Sequence, residues 1–222
     1  RMKFDVGLIL SWIPAALAGL EITIAVWLAG GLCALALGFG VAAARRFGGA
    51  LVDRALTLYV ALIRDTPFLI QLFLLYYGGP FVGLELEPYQ AGLIGLTVYG
   101  SAYFAEIIRA GFEAVPVGHQ EAAICAGLTR AQMVRRILLP EMALLVLPPV
   151  VNMQILLLKE TAVLSIVTVP ELTMTLTSLG SEHFAFAEAL SLLAGLYWVL
   201  VEVTGALGRF AERRLARLSF AA

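Results

Sequence analysis

The chain has 222 residues, of which 61% are hydrophobic and 14% charged, with a net charge of −1. Soluble domains carry about 25% charged residues, and the mean hydropathy here is +0.92. The composition therefore excludes a soluble globular domain and indicates an integral membrane protein with several spans. The near-neutral charge gives no indication of a nucleic-acid partner.

Five long apolar runs are predicted to cross the membrane, which gives an all-α fold of five transmembrane helices. Each run exceeds the roughly 20 apolar residues that a spanning helix needs. Pro67 lies inside the second run, and Pro148 and Pro149 are expected to break the fourth. The polar, Thr-rich stretch 170–183 is expected to connect the last two. The runs cover residues 13–44, 51–79, 89–112, 142–169 and 184–207.

The distribution of basic residues predicts the orientation of these spans. Arginines concentrate in one set of connections and in the C-terminal tail, whereas the loop 79–88 has none. Cytoplasmic segments retain positive charge, so the N-terminus is expected outside and the C-terminus inside. The predicted organisation is an extracytoplasmic segment 1–12, a transmembrane domain 13–208 and a basic cytoplasmic tail 209–222.

Three pairs of opposite charges fall inside the predicted spans. Each charged group at membrane depth costs about 2.5–3.5 kcal/mol on insertion scales, so such groups are candidates for function. We interpret Glu106 and Arg109 as a structural pair that locks helices near the cytoplasmic end. The other two pairs lie beside a proline or polar side chains, so we expect them to line a cavity, although mutual neutralisation stays open. These pairs are Arg64 with Asp65 and Lys159 with Glu160.

A cavity that contains both guanidinium and carboxylate groups is suited to a zwitterion. Guanidinium binds a carboxylate with two hydrogen bonds, and Asp or Glu accepts from an ammonium group. The sequence accordingly predicts a substrate site in these two segments. The candidate residues are Arg64, Asp65, Thr66, Asn152, Gln154, Glu160 and Thr161. No spacing of His and Cys typical of a metal site accompanies them.

Residues 120–140 are polar and charged but bounded by apolar segments. Glu121 is predicted in the first turn of a short helix, where the helix dipole favours a carboxylate. Gly127 is predicted to end that helix, and Thr129 with Gln132 to begin the next one as a capping box. On these grounds alone, the segment could be an ordinary amphipathic loop between two spans.

The spacing within this segment carries a family resemblance. Glu121-Ala122-Ala123 is followed after three residues by Gly127, and after nine more by Ile137, one residue and Leu139-Pro140. This pattern resembles the conserved loop of the permease subunits of binding-protein-dependent ABC importers. In that family the loop forms a cytoplasmic coupling helix that lies in a cleft of a separate ATPase. The resemblance therefore implies that ATPase coupling rests on Glu121, Ala122, Ala123, Gly127 and Arg130.

Further segments resemble the polar amino-acid subfamily, of the histidine, glutamine, glutamate or arginine type. They are R-D-T-P-F-L-I-Q from Arg64, A-E-I-I-R-A-G from Ala105 and N…K-E-T from Asn152 to Thr161. Asp65 stands where glycine is usual, Ala162 where serine is usual and His119 where glutamine is common. These departures leave the substrate open.

The resemblance implies a type I ABC importer fold and a multi-pass protein of a bacterial inner membrane. It implies as partners two ABC ATPase subunits, a second copy or homologous permease, an extracytoplasmic solute-binding protein, membrane lipid and a polar amino acid. The sequence has no G-x-x-x-x-G-K-[ST] loop, so no cofactor is expected on this chain, with ATP and Mg²⁺ on the partner ATPase. The alternatives are an ion-coupled secondary amino-acid transporter, which predicts an internal inverted repeat, and a membrane enzyme.

Overall fold

The computed structural model describes residues 4–219, in which every regular element is a helix. A 3₁₀ turn covers Gly79–Val82, a π-helical segment covers Val134–Leu138, and a 3₁₀ segment covers Thr161–Val167. The α-helices are α1 (Val6–Phe47), α2 (Ala50–Arg64), α3 (Phe68–Tyr76), α4 (Pro88–Ala114), α5 (Val117–Cys125), α6 (Arg130–Met133), α7 (Leu139–Glu160), α8 (Leu172–Glu182) and α9 (Phe186–Ser219).

Four continuous helical stretches are long and apolar enough to cross a membrane. They are Val6–Phe47, Pro88–Ala114, Arg130–Val167 and Phe186–Leu215. Helices α2 and α3 meet at a bend of 101° and give a fifth crossing if the pair is counted as one span. Four of the five predicted spans are therefore continuous helices, and the second is a sharply bent pair of helices.

The first and last helices are longer than their predicted spans. Helix α1 begins at Val6 because Asp5 caps it, its carboxylate accepting from the backbone N–H groups of Gly7 and Leu8 at 2.8 and 3.2 Å. Helix α9 runs without a break to Ser219, so the described part of the predicted tail continues the last span. Residues 1–3 and 220–222 of the predicted terminal segments lie outside the described residues.

The fourth span breaks at a different place from the one predicted. Helix α7 passes through Pro148 and Pro149 without interruption. The change comes at Thr161, where the chain tightens into a 3₁₀ segment that ends at Thr168 with φ of 63°. A proline removes one backbone donor, and a transmembrane helix tolerates this where neighbouring groups compensate. The expectation of a break at the two prolines was wrong.

The expected connection between the last two spans contains a packed helix. Helix α8 covers most of the Thr-rich stretch, and it buries Leu172 and Leu176 against Ala16 of α1. Its first backbone N–H, on Leu172, donates to the Thr23 hydroxyl at 3.0 Å. Because the hydroxyl side chains satisfy backbone groups, a polar sequence can form a buried helix here.

The core of the bundle lies between α1, α4 and α7. Gly38 of α1 lets α4 approach so closely that a Cβ there would lie 2.6 Å from Phe104 Cβ. Gly100 of α4 similarly faces Ala34 of α1 and Leu157 of α7. Small residues at such crossings allow close backbone packing, which drives helix association in membranes. The three helices therefore form one rigid unit against which the other elements pack.

Candidate functional site

The polar loop folds as a short exposed helix followed by a second one. Helix α5 begins at Val117, so Glu121 lies in its second turn, and no acidic residue occupies its first turn. The prediction that Glu121 opens the helix was wrong, because the helix already starts at Val117, four residues earlier, directly after Pro116. Glu121 and Ala122 are exposed, whereas Ala123 is only 2% exposed. The helix thus presents one face to solvent and packs the other on the protein.

The end of α5 and the start of α6 agree with the sequence. Gly127 has φ of 74°, and the N–H of Leu128 donates back to the Ala123 carbonyl at 3.1 Å. Thr129 and Gln132 form the predicted capping box, in which the Thr129 N–H donates to Gln132 Oε1 at 2.9 Å. Glycine tolerates the left-handed conformation that reverses the chain here. Arg130, the next residue, is exposed.

Two contacts connect α5 to the beginning of α7. His119 Nδ1 lies 2.7 Å from Glu141 Oε2. The Ala123 side chain of α5 is buried. Beside it, an open groove of about 330 Å³ lies between Ala122 and Ile137. Between these elements the N–H of Leu139 donates to the Val134 carbonyl, five residues back. This π-type turn precedes Pro140, which has no backbone N–H to donate in the regular helical pattern. The His119–Glu141 contact therefore joins α5 to the first turn of α7.

The break in the second span is stabilised by two side chains, since the Thr66 hydroxyl donates to the Leu62 carbonyl at 2.8 Å and Gln71 makes several further bonds. The carboxamide nitrogen of Gln71 donates to the carbonyl of Ile63 at 2.7 Å, to the carbonyl of Thr66 at 3.1 Å and to the Thr66 hydroxyl at 2.8 Å. Pro67 prevents the helix from continuing, which leaves the last carbonyls of α2 without backbone partners. Gln71 satisfies these acceptors and holds α2 and α3 at their bend.

This bend exposes the first group of candidate residues. Arg64, Asp65 and Thr66 are all exposed. The guanidinium of Arg64 lies 5.4 Å from the centre of the Tyr103 ring, a cation–π arrangement. Among residues 4–215, whose side chains the structure describes, neither Arg64 nor Asp65 has an ion-pair partner within 4.0 Å. Mutual neutralisation of these two groups, which the sequence left open, is not seen.

Two tyrosines of α4 lie between Arg64 and the end of α7. The rings of Tyr103 and Tyr99 are 5.0 Å apart between centres, and their hydroxyl oxygens are 3.4 Å apart. The structure therefore arranges a guanidinium and two phenols along one side of α4.

The remaining candidates of α7 face in different directions. Asn152 is exposed. Gln154 turns toward α1, where its carboxamide nitrogen donates to the Gly31 carbonyl at 3.2 Å and its own backbone carbonyl accepts from Trp27 Nε1 at 2.8 Å. Thr161 is fully buried and donates to the Leu158 carbonyl at 2.7 Å. Gln154 and Thr161 thus have partners within the chain.

A buried polar network surrounds Thr161 and was not predicted. The Tyr197 hydroxyl lies 3.2 Å from the Thr161 hydroxyl, 3.3 Å from that of Thr173 and 3.2 Å from a carboxylate oxygen of Glu171. Glu171 also accepts from the N–H groups of Thr173 and Met174 and so caps α8. Burial raises the pKa of Glu171 above its usual value, although these donors oppose the shift. The network joins α7, α8 and α9.

The Glu106 and Arg109 pair belongs to a larger cluster of charges at the other end of the bundle. Arg109 Nε lies 2.9 Å from Glu106, and Arg45 of α1 bonds to both Glu106 and Asp53 of α2. The side chain of Arg45 is 10% exposed. The pair therefore locks three helices together, and its structural interpretation is confirmed.

Comparisons with known proteins agree with this geometry. The family model for the inner-membrane component of binding-protein-dependent transport systems matches residues 36–217. The chain belongs to this family. The probable amino-acid ABC transporter permeases YckA of Bacillus subtilis and PatM of Vibrio harveyi are 30% and 33% identical to it, each over 96% of this chain and 94% and 97% of their own. The glutamine transport permease GlnP of Escherichia coli is 29% identical, over 96% of this chain and 99% of its own length.

Solved structures confirm the type I importer fold for this permease. An amino acid ABC transporter solved with histidines superposes with a TM-score of 0.91 at 30% identity, over 96% of this chain and 100% of that one. The MetNI methionine ABC transporter gives a TM-score of 0.76 at 22% identity, over 92% and 98% of the two chains, and supports the fold alone. The findings favour an ABC importer over an ion-coupled transporter.

Four polar residues to which the structure draws attention were absent from the candidate residues of the sequence analysis. Gln71 belonged to the recognised R-D-T-P-F-L-I-Q segment but carried no predicted role. Glu171 and Tyr197 meet only through the packing of α8 on α9, so no local pattern could reveal their contact. Glu202 is a charged residue inside the last predicted span. Because charges at membrane depth are candidates for function, the sequence alone could have identified it.

Proposed function

We propose that this permease is the transmembrane subunit of an ATP-driven importer that moves a polar amino acid into the cytoplasm. The observation that carries the proposal is the exposed face of α5, formed around Glu121 and Ala122 and connected through His119 to α7. The names of the similar proteins, which include amino-acid and glutamine permeases, support the substrate class.

The proposed coupling uses the two ends of α5. At its start, Val115 is buried and only Val115 and Pro116 separate α5 from α4. At its other end, the tight turn at Gly127 leads into α6 and then α7. A partner that holds Glu121 and Ala122 would therefore move α4 and α7 together. These two helices carry Tyr103 and Glu160, so motion at α5 would alter the spacing of the polar groups.

The proposed assembly contains two such permeases, identical or homologous, with two ATPase subunits on the α5 side and a solute-binding protein on the opposite side. ATP and Mg²⁺ would bind to the ATPase subunits, since the sequence of this chain has no phosphate-binding loop. The arginine-rich connections support placing α5 and the C-terminus in the cytoplasm and the N-terminus outside.

The proposed substrate path runs past the exposed candidates. Arg64, which has no carboxylate partner among residues 4–215, is suited to the substrate carboxylate. Asp65 and Glu160 would accept from its ammonium group, and Thr66 and Asn152 would offer neutral polar contacts. We assign Gln154 and Thr161 a supporting part, in which they hold the backbone of α7 that carries these groups.

The test is ATPase activity of the purified complex in lipid, with the binding protein and each polar amino acid added in turn. We expect one amino acid to stimulate hydrolysis, and Glu121→Ala to reduce that stimulation by about 10-fold, a typical size for coupling between sites. Glu160→Ala should weaken the response to substrate without abolishing basal hydrolysis.

The matched control is Glu85→Ala, which removes an exposed acid from the 79–88 loop. It should leave stimulation unchanged if Glu121 acts through an ATPase rather than through net charge. If no ATPase co-purifies and uptake instead follows an ion gradient, the proposal is overturned in favour of the secondary transporter.

A further inference from the structure

An open groove of about 580 Å³ lies between α1 and α7, with α4 beneath it. The buried side chains of Ile108, Met142 and Val146 form its floor. Its rim on α1 stays exposed, with Leu32 at 63% and Phe39 at 43% exposure. All eleven described residues that line it are Ala, Ile, Leu, Met, Phe or Val. The groove therefore offers no hydrogen-bonding side chain to a polar substrate.

The groove is nearly as long as one membrane leaflet is thick, and it lies toward one end of the bundle. Its lining runs from Met142 to Val150 on α7, which is about 12 Å at 1.5 Å per residue. The hydrocarbon core is about 30 Å thick, so one leaflet contributes about 15 Å. Met142 lies in the first turn of α7, and Phe39 lies about two turns before the end of α1 at Phe47. The groove thus opens into the leaflet on the α5 side.

Arg46 lies at the same end of the groove. It follows Phe39 by two turns and is on the same face of α1. Its guanidinium lies 5.4 Å from the centre of the Phe112 ring, and Phe112 is one turn beyond Ile108 of the groove floor. Arg46 is exposed, and among residues 4–215 it has no ion-pair partner within 4.0 Å. Its positive charge is therefore available to a ligand in the groove.

The other charges at this end leave an excess of positive charge. Arg135 and Arg136, just before α7, are exposed and make no ion pair with residues 4–215. Several acids at this end already contact an arginine or a histidine. They are Asp53, Glu106, Glu113 and Glu141. Glu212 lies one turn from Leu215 on α9 but does not line the groove.

We propose that the groove binds an acyl chain of an anionic phospholipid of the cytoplasmic leaflet, with Arg46 beside the headgroup. Protein interiors are packed without gaps of this size, and within a bilayer an acyl chain is the apolar group that can fill one. Basic residues at the cytoplasmic surface attract anionic headgroups. The choice of leaflet rests on the proposed orientation, whereas the groove and its arginines do not depend on it.

A second permease is the other candidate occupant of this apolar face. In the proposed assembly the two copies have the same orientation, so their equivalent arginines lie at the same depth. A symmetric contact through the groove would bring the two copies of Arg46 toward each other, and juxtaposed like charges oppose association. The charge at the end of the groove therefore favours an anionic lipid over a second copy.

The test places the whole complex in phosphatidylcholine nanodiscs that contain a trace of lipid with a photoreactive diazirine in its acyl chain. The probe lipid is phosphatidylglycerol in one sample and phosphatidylcholine in the other. We expect peptide mapping to find adducts on residues 32–39 and 142–150, with phosphatidylglycerol in excess. Arg46→Gln should reduce that excess by about 5-fold, which corresponds to about 1 kcal/mol for one basic residue at the surface. Ala143→Leu, which replaces a methyl group of the groove by an isobutyl group, should reduce the adducts of both lipids.

The matched control is Arg54→Gln, which removes an exposed arginine of α2 that does not line the groove, and its adducts should equal those of the wild type. If Ala143→Leu does not assemble, Ala36→Leu on the α1 side of the groove takes its place, with the same loss expected. Equal labelling by the two lipids, or adducts spread evenly over all apolar surfaces, would overturn the inference. Protection of both segments from both lipids would assign the groove to the second permease and overturn it as well. Because the mapping requires no transport, these outcomes do not depend on the proposed function.

Discussion

Two of the membrane-crossing segments are interrupted, and different means hold the two breaks in place. The first break, at Asp65–Pro67, is held from within its own segment, since Gln71 bonds to Ile63 and Thr66 only a few residues away. The second break, at Thr161, is held by Tyr197 from another helix. The first is therefore a local feature of the sequence, whereas the second depends on the tertiary packing of α7, α8 and α9.

The difference has consequences for motion. A break that is satisfied locally can move as a unit, because α2 and α3 carry their own hydrogen-bond partners with them. A break that is satisfied by distant residues is fixed relative to those residues. Buried hydroxyl and carboxylate groups without hydrogen-bond partners are costly, so Tyr197 and Glu171 must follow Thr161 in any rearrangement. We expect α7 to move together with α8 and α9 around the second break.

Among the substitutions that test this difference between the two breaks, removal of the Glu171 carboxylate should reduce stability the most. Glu171→Leu leaves the N–H groups of Thr173 and Met174 buried without acceptors, and each such group costs about 1–3 kcal/mol. We expect the free energy of unfolding in mixed micelles to fall by about 3 kcal/mol. Glu171→Gln, which keeps an acceptor oxygen, should cost less. Glu182→Gln at the exposed end of α8 is the control, and an equal loss there would contradict the explanation.

The substitution Gln71→Leu should cause the next largest loss of stability. It removes the donor that satisfies Ile63 and Thr66, at a cost of about 1–2 kcal/mol for the hydrogen bonds to these carbonyls. Because the first break is local, the loss should appear as faster hydrogen exchange confined to residues 62–71. Gln120→Leu, at a half-buried position of α5, provides the comparison. Exchange that accelerates equally around Thr161 would show that the two breaks are not independent.

Tyr197→Phe should have a smaller but more widespread effect. Loss of one hydroxyl that contacts Thr161, Thr173 and Glu171 should cost about 1 kcal/mol. Hydrogen exchange should increase in both 159–167 and 171–175, since the hydroxyl connects them. Tyr89→Phe, at an exposed tyrosine, should leave exchange unchanged. A response in only one of the two segments would mean that Tyr197 does not connect them.

Thr161→Val should be the mildest single change, at about 0.5–1 kcal/mol, because its hydroxyl also bonds within its own turn. The sharper measurement is its combination with Tyr197→Phe. Residues that share a network are expected to be non-additive by about 0.5 kcal/mol or more. The pair Thr161→Val with Gln71→Leu should instead be additive, since the two breaks use separate partners.

The coupling loop was largely predictable from its sequence. The chain reversal at Gly127 and the capping box of Thr129 and Gln132 depend on residues at most five positions apart, so local rules suffice. The error at Glu121 arose because Pro116, five residues before the recognised pattern, already initiates α5. A helix starts where its first backbone N–H groups can be left without partners inside the helix. Here that position lies before the motif.

The candidate substrate residues were predictable in kind but not in arrangement. Arg64 and Glu160 were recognised because charge is rare inside a span, and the structure places Arg64 beside Tyr103 of α4. Gln154 looked equivalent to Asn152 in sequence, yet it turns to the Gly31 carbonyl. Side chains two positions apart on a helix point in directions that differ by about 200°. Their partners therefore depend on which helix lies on each side.

By itself, the sequence determined the membrane class, the five spans, the recognised loop and the residues whose charge marks them for function. These properties follow from composition, periodicity and short-range spacing. Only the tertiary structure decided that the fourth span breaks at Thr161 rather than at the prolines, and that the Thr-rich stretch is a packed helix. Both depend on contacts between helices far apart in the chain, where a polar group is satisfied by a residue that no local pattern identifies.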